Sequence, residues 1–574
     1  MALSPDENTL YVTNGNTNNV AVLGLPLNKA NPVLGLIPTG MYPNSVSVSA
    51  NNKYLYVANG KSPAGPNPEY CSSYSGNFTP PVNYAPCSAS NTRVLQLMKA
   101  GLQFVPVPPA SQLTALTEQV AINNSYQSVE SPSTTATMNF VASKIQHVIY
   151  IIKENRTYDQ VLGDVPNANG DSALNVLPAS ITPNGHNLAG KFVTLDNLYA
   201  TAEVSYDGWA WSTGALIPDI VIRQVAVYYS LRGGLAYDAE GDNRNVNLIY
   251  RMTGFSPQVS VTDPDILPGL TNVAAPDGPG NQVNTGYLWD QALRAGLTVR
   301  NYGFFVDSLG SAVPFPSNTT VRQVNPSNPA LNPLTDIYFR GHDMNNADYY
   351  LYEEWNRDVT ANGLANLSLI RLPHDHFGNF ATALAGVNTP ELQAADNDYA
   401  VGKIIETIAE SPAYASNTLI FVIEDDAQDG ADHVDAHRST AFIVGPYVKQ
   451  GGAVVSTEYN TINFIRTIEQ VLGLNAIHLT DGVAQPMADV FDTTQTTWTF
   501  KAIPASILYN TTLQHHSSFA SASGRAADSQ ANPRRAVLGA SDQGDGFLGR
   551  RPGEPASLQP DPVERFERRH GVSR

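Results

Sequence analysis

Two apolar runs in the chain end in groups that bind hard cations. In KIQHVIYIIKENRTYDQVLGD the run from His147 to Ile152 stops at Lys153-Glu154-Asn155, and a helical pattern follows. In NTLIFVIEDDAQDGADHVDAHRSTAFIVGPYV the run from Thr418 to Ile423 stops at Glu424-Asp425-Asp426. Open α/β sheets bind ligands beyond the carboxyl ends of their strands, and carboxylate and amide oxygens placed there suit a divalent ion. Three adjacent carboxylates at the end of a buried strand repel one another and gain proton affinity unless a cation neutralises them. Further on, His433 and His437 share one face if their stretch is helical, and imidazole suits zinc, manganese or iron. Each motif also has a plain alternative: a polar strand end turned by Asn155, and a solvated acidic loop with surface histidines.

RLPHDHFGNF sets His374, Asp375 and His376 beside a proline and a glycine, with Asp396 and Asp398 following in ADNDYAVGKIIETI. A loop that presents both ligand types reads as a site loop, although His-rich turns also occur as plain surface. LDNLYATAEVSYDGWAWSTGA places Ser205 among small and polar residues. No GxSxG elbow surrounds it, which counts against an α/β-hydrolase triad. A metal that stabilises the alkoxide is the better activator, and a purely structural serine is the alternative.

The chain that must position these groups has 574 residues, enough for at least two folding units, each with a core. Apolar residues make up 42% and charged residues 15%, with 43 Gly and 40 Pro, a balance of loop-rich globular proteins outside the cytosol. Lys and Arg number 33 against 51 acids, a net charge of −18 that repels nucleic acid and anionic membranes. An anionic substrate must therefore be met locally, by cations or bound metal. Cys71 and Cys87 fall in one Tyr/Pro/Asn/Ser-rich insertion, which suits a single disulfide outside the cytosol, two free thiols being the alternative. No apolar run approaches the ~20 residues that cross a bilayer, and MALSPDENTLYVTNG has neither the basic nor the apolar region of an export signal.

SPDENTLYVTNG from Ser4 recurs as SANNKYLYVANG from Ser49, an offset of 49 − 4 = 45 residues that falls within the blade period of propellers. Each copy sets a polar turn before a Leu-Tyr-Val strand. The unit resembles the YVTN family of propeller repeats through Tyr11-Val12-Thr13-Asn14 and Tyr56-Val57-Ala58-Asn59. Propellers close with about four to eight blades, and barely two are present here, so the start reads as internal to a longer gene or the propeller as decayed. Residues 1–60 are thus expected to form partial repeats and 61–143 an insertion and linker, with a short helix near Leu113–Asn123. From about Lys144 strands alternate with helical stretches, the signature of an α/β domain with a mainly parallel sheet, here 144–510. Residues 511–574, rich in Ala, Ser, Gly, Arg and Pro, read as a disordered or frameshifted tail.

HVIYIIKENRTYDQVLG resembles the opening signature of the bacterial phosphoesterase family that includes phospholipases C and acid phosphatases, and FVIEDDAQDGADHVDAHR with GPYV is similar to its later one. LPHDHFGN, TPELQAADNDYAVGKIIE, YNTINFIRTIEQVLGL and AQPMADVF stand between and after them in family order. The resemblance implies an alkaline-phosphatase-like sheet with flanking helices and a divalent ion, zinc, manganese, iron or calcium. On the family's pattern Glu154, Asn155, Asp425 and Asp426 bind metal around Ser205, the metal-bound nucleophile. His376, His433 and His437 are similar to positions that bind a second metal or the leaving group. The activity implied is hydrolysis of a small-molecule or lipid phosphate ester, in the periplasm or outside the cell. Neither cysteine lies in the CxPxR setting of sulfatases. The alternatives are an inactive binding protein that works through its repeats, and a phosphotransferase on the same fold.

Overall fold

The computed structural model describes residues 1–27, 30–67, 94–219, 221–223, 225, 275–306, 328–428 and 430–513. The expected Cys71–Cys87 disulfide and residues 514–574 of the expected tail lie outside the described residues.

The polar turns of the two repeat copies fold alike. Ser4 Oγ accepts the Thr9 N–H at 2.9 Å, and 45 residues later Ser49 Oγ accepts the Tyr54 N–H at 2.9 Å. Each polar turn thus feeds a strand. β1 (Ala2–Leu3), β2 (Thr9–Asn14), β3 (Asn19–Gly24) and β4 (Val33–Pro38) form a four-stranded antiparallel sheet, and β5 (Pro43–Val48), β6 (Tyr54–Asn59) and β7 (Gly101–Pro106) a three-stranded one. Tyr11, Val20, Val22, Ile37, Val46, Leu55 and Val57 from both sheets share one core with Leu113 of helix α1 (Ala110–Asn123). The second helix, α2 (Pro132–Ala142), begins with Ser131 accepting the Thr134 N–H, a cap that satisfies one of the first-turn donors. Its Met138 and Val141 already belong to the large core of the second domain.

That domain is built on β8 (His147–Lys153), β9 (Val193–Leu195), β10 (Leu198–Tyr199), β11 (Val299–Tyr302), β12 (Leu367–Arg371), β13 (Thr418–Glu424), β14 (Ala441–Val444), β15 (Ala453–Val455) and β16 (Tyr459–Asn460). The central sheet has the order β11-β12-β8-β13-β14, parallel except for antiparallel β14. Strands covered on both faces carry continuous apolar runs, and Val148 to Ile152 and Leu419 to Ile423 are all at most 1% exposed. Around the sheet lie α3 (Ser205–Gly214), α4 (Asp348–Asn362), α5 (Pro390–Ala409) and α6 (Thr461–Val471). Two parallel pairs, β9 with β15 and β10 with β16, tie the segment before α3 to the chain before α6. Among the described residues no helix is long and apolar enough to cross a membrane.

Candidate active site

Register puts three strand ends in a row. Ile152 of β8 lies opposite Arg371 of β12 and Ile423 of β13, and Lys153 lies opposite Glu424. The residues just beyond therefore emerge together at one edge. Asn155 turns out of β8 at φ +70°, a conformation Asn tolerates better than most residues.

A fourth element meets this edge. Helix α3 starts at Ser205, and the Asp207 carboxylate fixes the turn before it by accepting the N–H groups of Glu203 (3.2 Å) and Val204 (3.1 Å). The Ser205 hydroxyl, buried, lies within donating distance of Asp426 Oδ2 at 2.9 Å and of Asn155 Oδ1 at 3.2 Å. It also stands at the positive end of the helix dipole.

Asp425 is wholly buried; its Oδ1 accepts the Asp426 N–H at 2.9 Å, and its Oδ2 has no hydrogen-bond partner. Burial, with Asp426 and Glu154 beside it, raises its pKa well above the carboxylate range. Such a carboxyl is held as the anion only beside a cation. Glu154 receives Arg371, whose Nε lies 2.8 Å from Oε1 and whose guanidinium stands 4.3 Å above the Trp209 ring of α3. The other Glu154 oxygen faces His342 Nε2 at 3.6 Å and His376 Nε2 at 4.0 Å. Glu154, His342 and His376 offer ligand atoms all within 4.8 Å of one another. A divalent ion fits this donor set, with its orphaned Asp425 oxygen and three clustered acids.

The third carboxylate of the acidic triplet is occupied otherwise. Lys153 Nζ bridges Glu424 Oε1 (2.9 Å) and Asp375 Oδ2 (2.8 Å), while Asp375 Oδ1 accepts the Glu154 N–H at 3.1 Å. Burial and the Asp375 charge push Glu424 up to about 8, against the pull of Lys153. Lys153 thus staples the ends of β8 and β13 to the His374–His376 turn.

The expected site loop divides its labour. His376 joins the site, whereas His374 Nδ1 lies 2.7 Å from Asp396, whose carboxylate accepts the N–H groups that open α4. Asp398 likewise accepts the N–H groups of Asn184 and Gly185 at the start of the helix Pro183–Lys191. Both aspartates are therefore occupied as helix caps.

His433 and His437 do not share a helical face, because Asp432 and Asp435 accept N–H groups two and three residues ahead and hold the stretch in turns. His433 Nδ1 lies 2.6 Å from Asp159, in a cluster with Asp432. Arg438 already neutralises those two acids, at 2.9 Å from each. His437 pairs with Asp435 at 2.9 Å. The structure thus brings Ser205, Asn155 and Asp426 together, sets Glu154, His376 and Asp425 beside them, and places His433 and His437 in other polar clusters.

Three residues of this site carried no flag in the sequence. Arg371 and Lys153 are charges at the carboxyl ends of buried strands, a signal already used for their neighbours. His342 in RGHDMNN has no such local mark.

Residues 242–475 match the model of the Phosphoesterase family. No curated protein sequence matches. Among solved structures the chain is similar to a protein of the alkaline phosphatase superfamily from Vibrio parahaemolyticus, with 14% identity, 63% of this chain and 79% of that one covered, and a TM-score of 0.33. It is also similar to a phosphonate monoester hydrolase from Silicibacter pomeroyi (15% identity, 62% and 78% covered, TM-score 0.30). A third is the sulfatase PsFucS1 from Pseudoalteromonas sp. (11% identity, 64% and 78% covered, TM-score 0.37).

Proposed function

We propose that the protein is a metal-dependent phosphoesterase in which Ser205 is the nucleophile. The observation that carries this is the buried Ser205 hydroxyl, set at the first turn of α3 against Asp426 and Asn155. Glu154, Asn155, Asp425 and Asp426 are assigned to the metal, which when bound would lower the pKa of the Ser205 hydroxyl and offset phosphoryl charge. Zinc, manganese, iron and calcium are all compatible with such donors.

Ser205 gives up its proton along its hydrogen bond to Asp426, and its oxygen attacks phosphorus in line. The phosphorus–oxygen bond to the alcohol breaks, and His376 with His342 supplies the departing oxygen with a proton. Water then cleaves the phosphoserine. Arg371, held by Glu154 and Trp209, adds fixed positive charge to a chain that is otherwise strongly acidic. Phosphate is favoured over sulfate because Ser205 does not stand in a CxPxR setting. The substrate is a phosphate monoester or diester, a phospholipid head group being one candidate, and the expected location is the periplasm or the cell exterior. The N-terminal sheets are taken as two blades of YVTN type.

Metal analysis of the purified protein, paired with nitrophenyl phosphate, bis-nitrophenyl phosphate and phosphorylcholine, tests this reading. Bound divalent metal with turnover of one of these esters supports it; a metal-free protein that cleaves none overturns it in favour of a binding protein.

A further inference from the structure

Lys61–Asn67 leave β6 and cross onto the second domain. Among the described residues, the polar attachments of this strap to that domain fall on two segments. One is the turn before Ser205, where Lys61 Nζ lies 2.5 Å from Glu203 Oε1. The other is the loop that continues from Asp425-Asp426. There Asn67 and Asp432 exchange two backbone hydrogen bonds of 2.8 Å, Asn67 Nδ2 donates to the Gly430 carbonyl at 3.0 Å, and Gly65 donates its N–H to Asp435 at 2.9 Å.

Glu203 and Asp207 are both buried at the head of α3, and Asp207 accepts the Glu203 N–H. Two buried carboxylates side by side cannot both be ionised without a cation. Among the described residues Lys61 is the only lysine or arginine paired with either; the other basic group within reach, His437 Nε2, stands 4.0 Å from Glu203 and is already paired with Asp435.

We propose that Lys61 is a positioning residue of the esterase: its ammonium balances the Glu203–Asp207 pair and so holds the turn that presents Ser205, while Gly65 and Asn67 fix the loop behind Asp425-Asp426. The strap that follows the repeats is then part of the apparatus that positions the nucleophile. The catalytic side of this role rests on Ser205 as nucleophile; the mechanical side does not.

The test uses full-length Lys61→Met, Lys61→Arg and the double variant Lys61→Met/Glu203→Gln, with two readouts. Hydrogen exchange followed by mass spectrometry should show Lys61→Met exchanging on the order of tenfold faster in peptides covering 201–214, with the central strands unchanged. Its kcat on nitrophenyl phosphate should fall on the order of 10- to 100-fold with KM within about threefold, as a small misplacement of a reacting group does. Lys61→Arg restores the charge and the double variant removes the need for it, so both should recover exchange and kcat to within about threefold of wild type. Wild-type exchange and kcat in Lys61→Met would overturn the proposal. So would a double variant no better than the single one, or an exchange increase spread evenly over both domains. If wild type itself cleaves no ester, Ser205 loses its assigned role, and the exchange data alone decide the strap.

Discussion

A β-carbon built on Gly208 would stand 2.8 Å from the carbonyl oxygen of Asp425. Helix α3 therefore approaches the end of β13 as closely as backbone permits, and this contact delivers Ser205, one turn earlier, to Asp426. Gly208→Ala must push the helix off the strand. The expected result is a loss of about 1–3 kcal/mol in urea melts, the usual cost of overpacking, with turnover reduced further than stability alone explains. An alanine variant with wild-type melting and kinetics would show that the approach is not required.

Ser205→Ala removes the hydroxyl without changing the packing around it. Turnover of nitrophenyl phosphate should drop by on the order of 10³-fold or more, while urea melts stay within about 1 kcal/mol of wild type. Retained activity would point to a metal-bound hydroxide as nucleophile.

Chelation should remove activity, and added divalent metal should restore it. Asp425→Asn leaves the shape but halves the charge of the pair Asp425–Asp426, so metal content measured by mass spectrometry should fall together with kcat. Full metal occupancy in that variant would remove Asp425 from the ligand set.

Arg371 is buried, paired with Glu154 and stacked over Trp209. Breaking a buried pair on one side costs on the order of 3–5 kcal/mol, so Arg371→Met should show a loss of that size in denaturant titration. Arg371→Lys should recover part of it, since the charge returns without the planar fork. A methionine variant as stable as wild type would contradict the packing described here.

Glu469 of α6 is fully buried, and its carboxyl is pushed up to about 10, first by burial and then by Asp481, with Arg466 opposing. The folded chain thus holds a proton that the unfolded chain, with its ordinary carboxyl at 4.5, has lost at neutral pH. This contribution is complete below the unfolded value and fades as pH climbs toward the folded one. Glu469→Gln should therefore flatten the fall of Tm between pH values of about 5 and 9 and raise Tm at the alkaline end. Parallel wild-type and variant curves would mean that Glu469 is ionised in the folded state.

Much of this architecture is legible in the sequence because strand ends announce themselves. The apolar runs to Ile152 and Ile423 stop where a buried strand must stop, and the groups after them have one edge to occupy. Long-range partners leave no such trace. Lys61 meets Glu203 across 142 residues, and His342 reaches Glu154 from a segment with no periodic signal. The histidines at 433 and 437 mislead for a local reason: their spacing is helical, but the aspartates between and before them capture backbone N–H groups and turn the chain. Asp396 and Asp398 mislead similarly, since acids inside one helix can cap its neighbours.

The parallel order β12-β8-β13 has a consequence for synthesis on the ribosome. β8 emerges early, yet its partners emerge more than 200 residues later, as the register of Val148 with Leu367 and Leu419 requires. Non-local pairings of this kind make folding slow, because loop closure precedes its reward. Lys153 and Glu154 must therefore wait for Arg371 and Asp375 to emerge, and the set around Ser205 is complete only once the chain has been extended past Asp426. The strap waits longer still, since the N–H of Gly65 meets its acceptor 370 residues downstream. Assembly of the centre is thus one of the last events in the maturation of the molecule, and a premature stop anywhere before β13 yields a chain with no site at all.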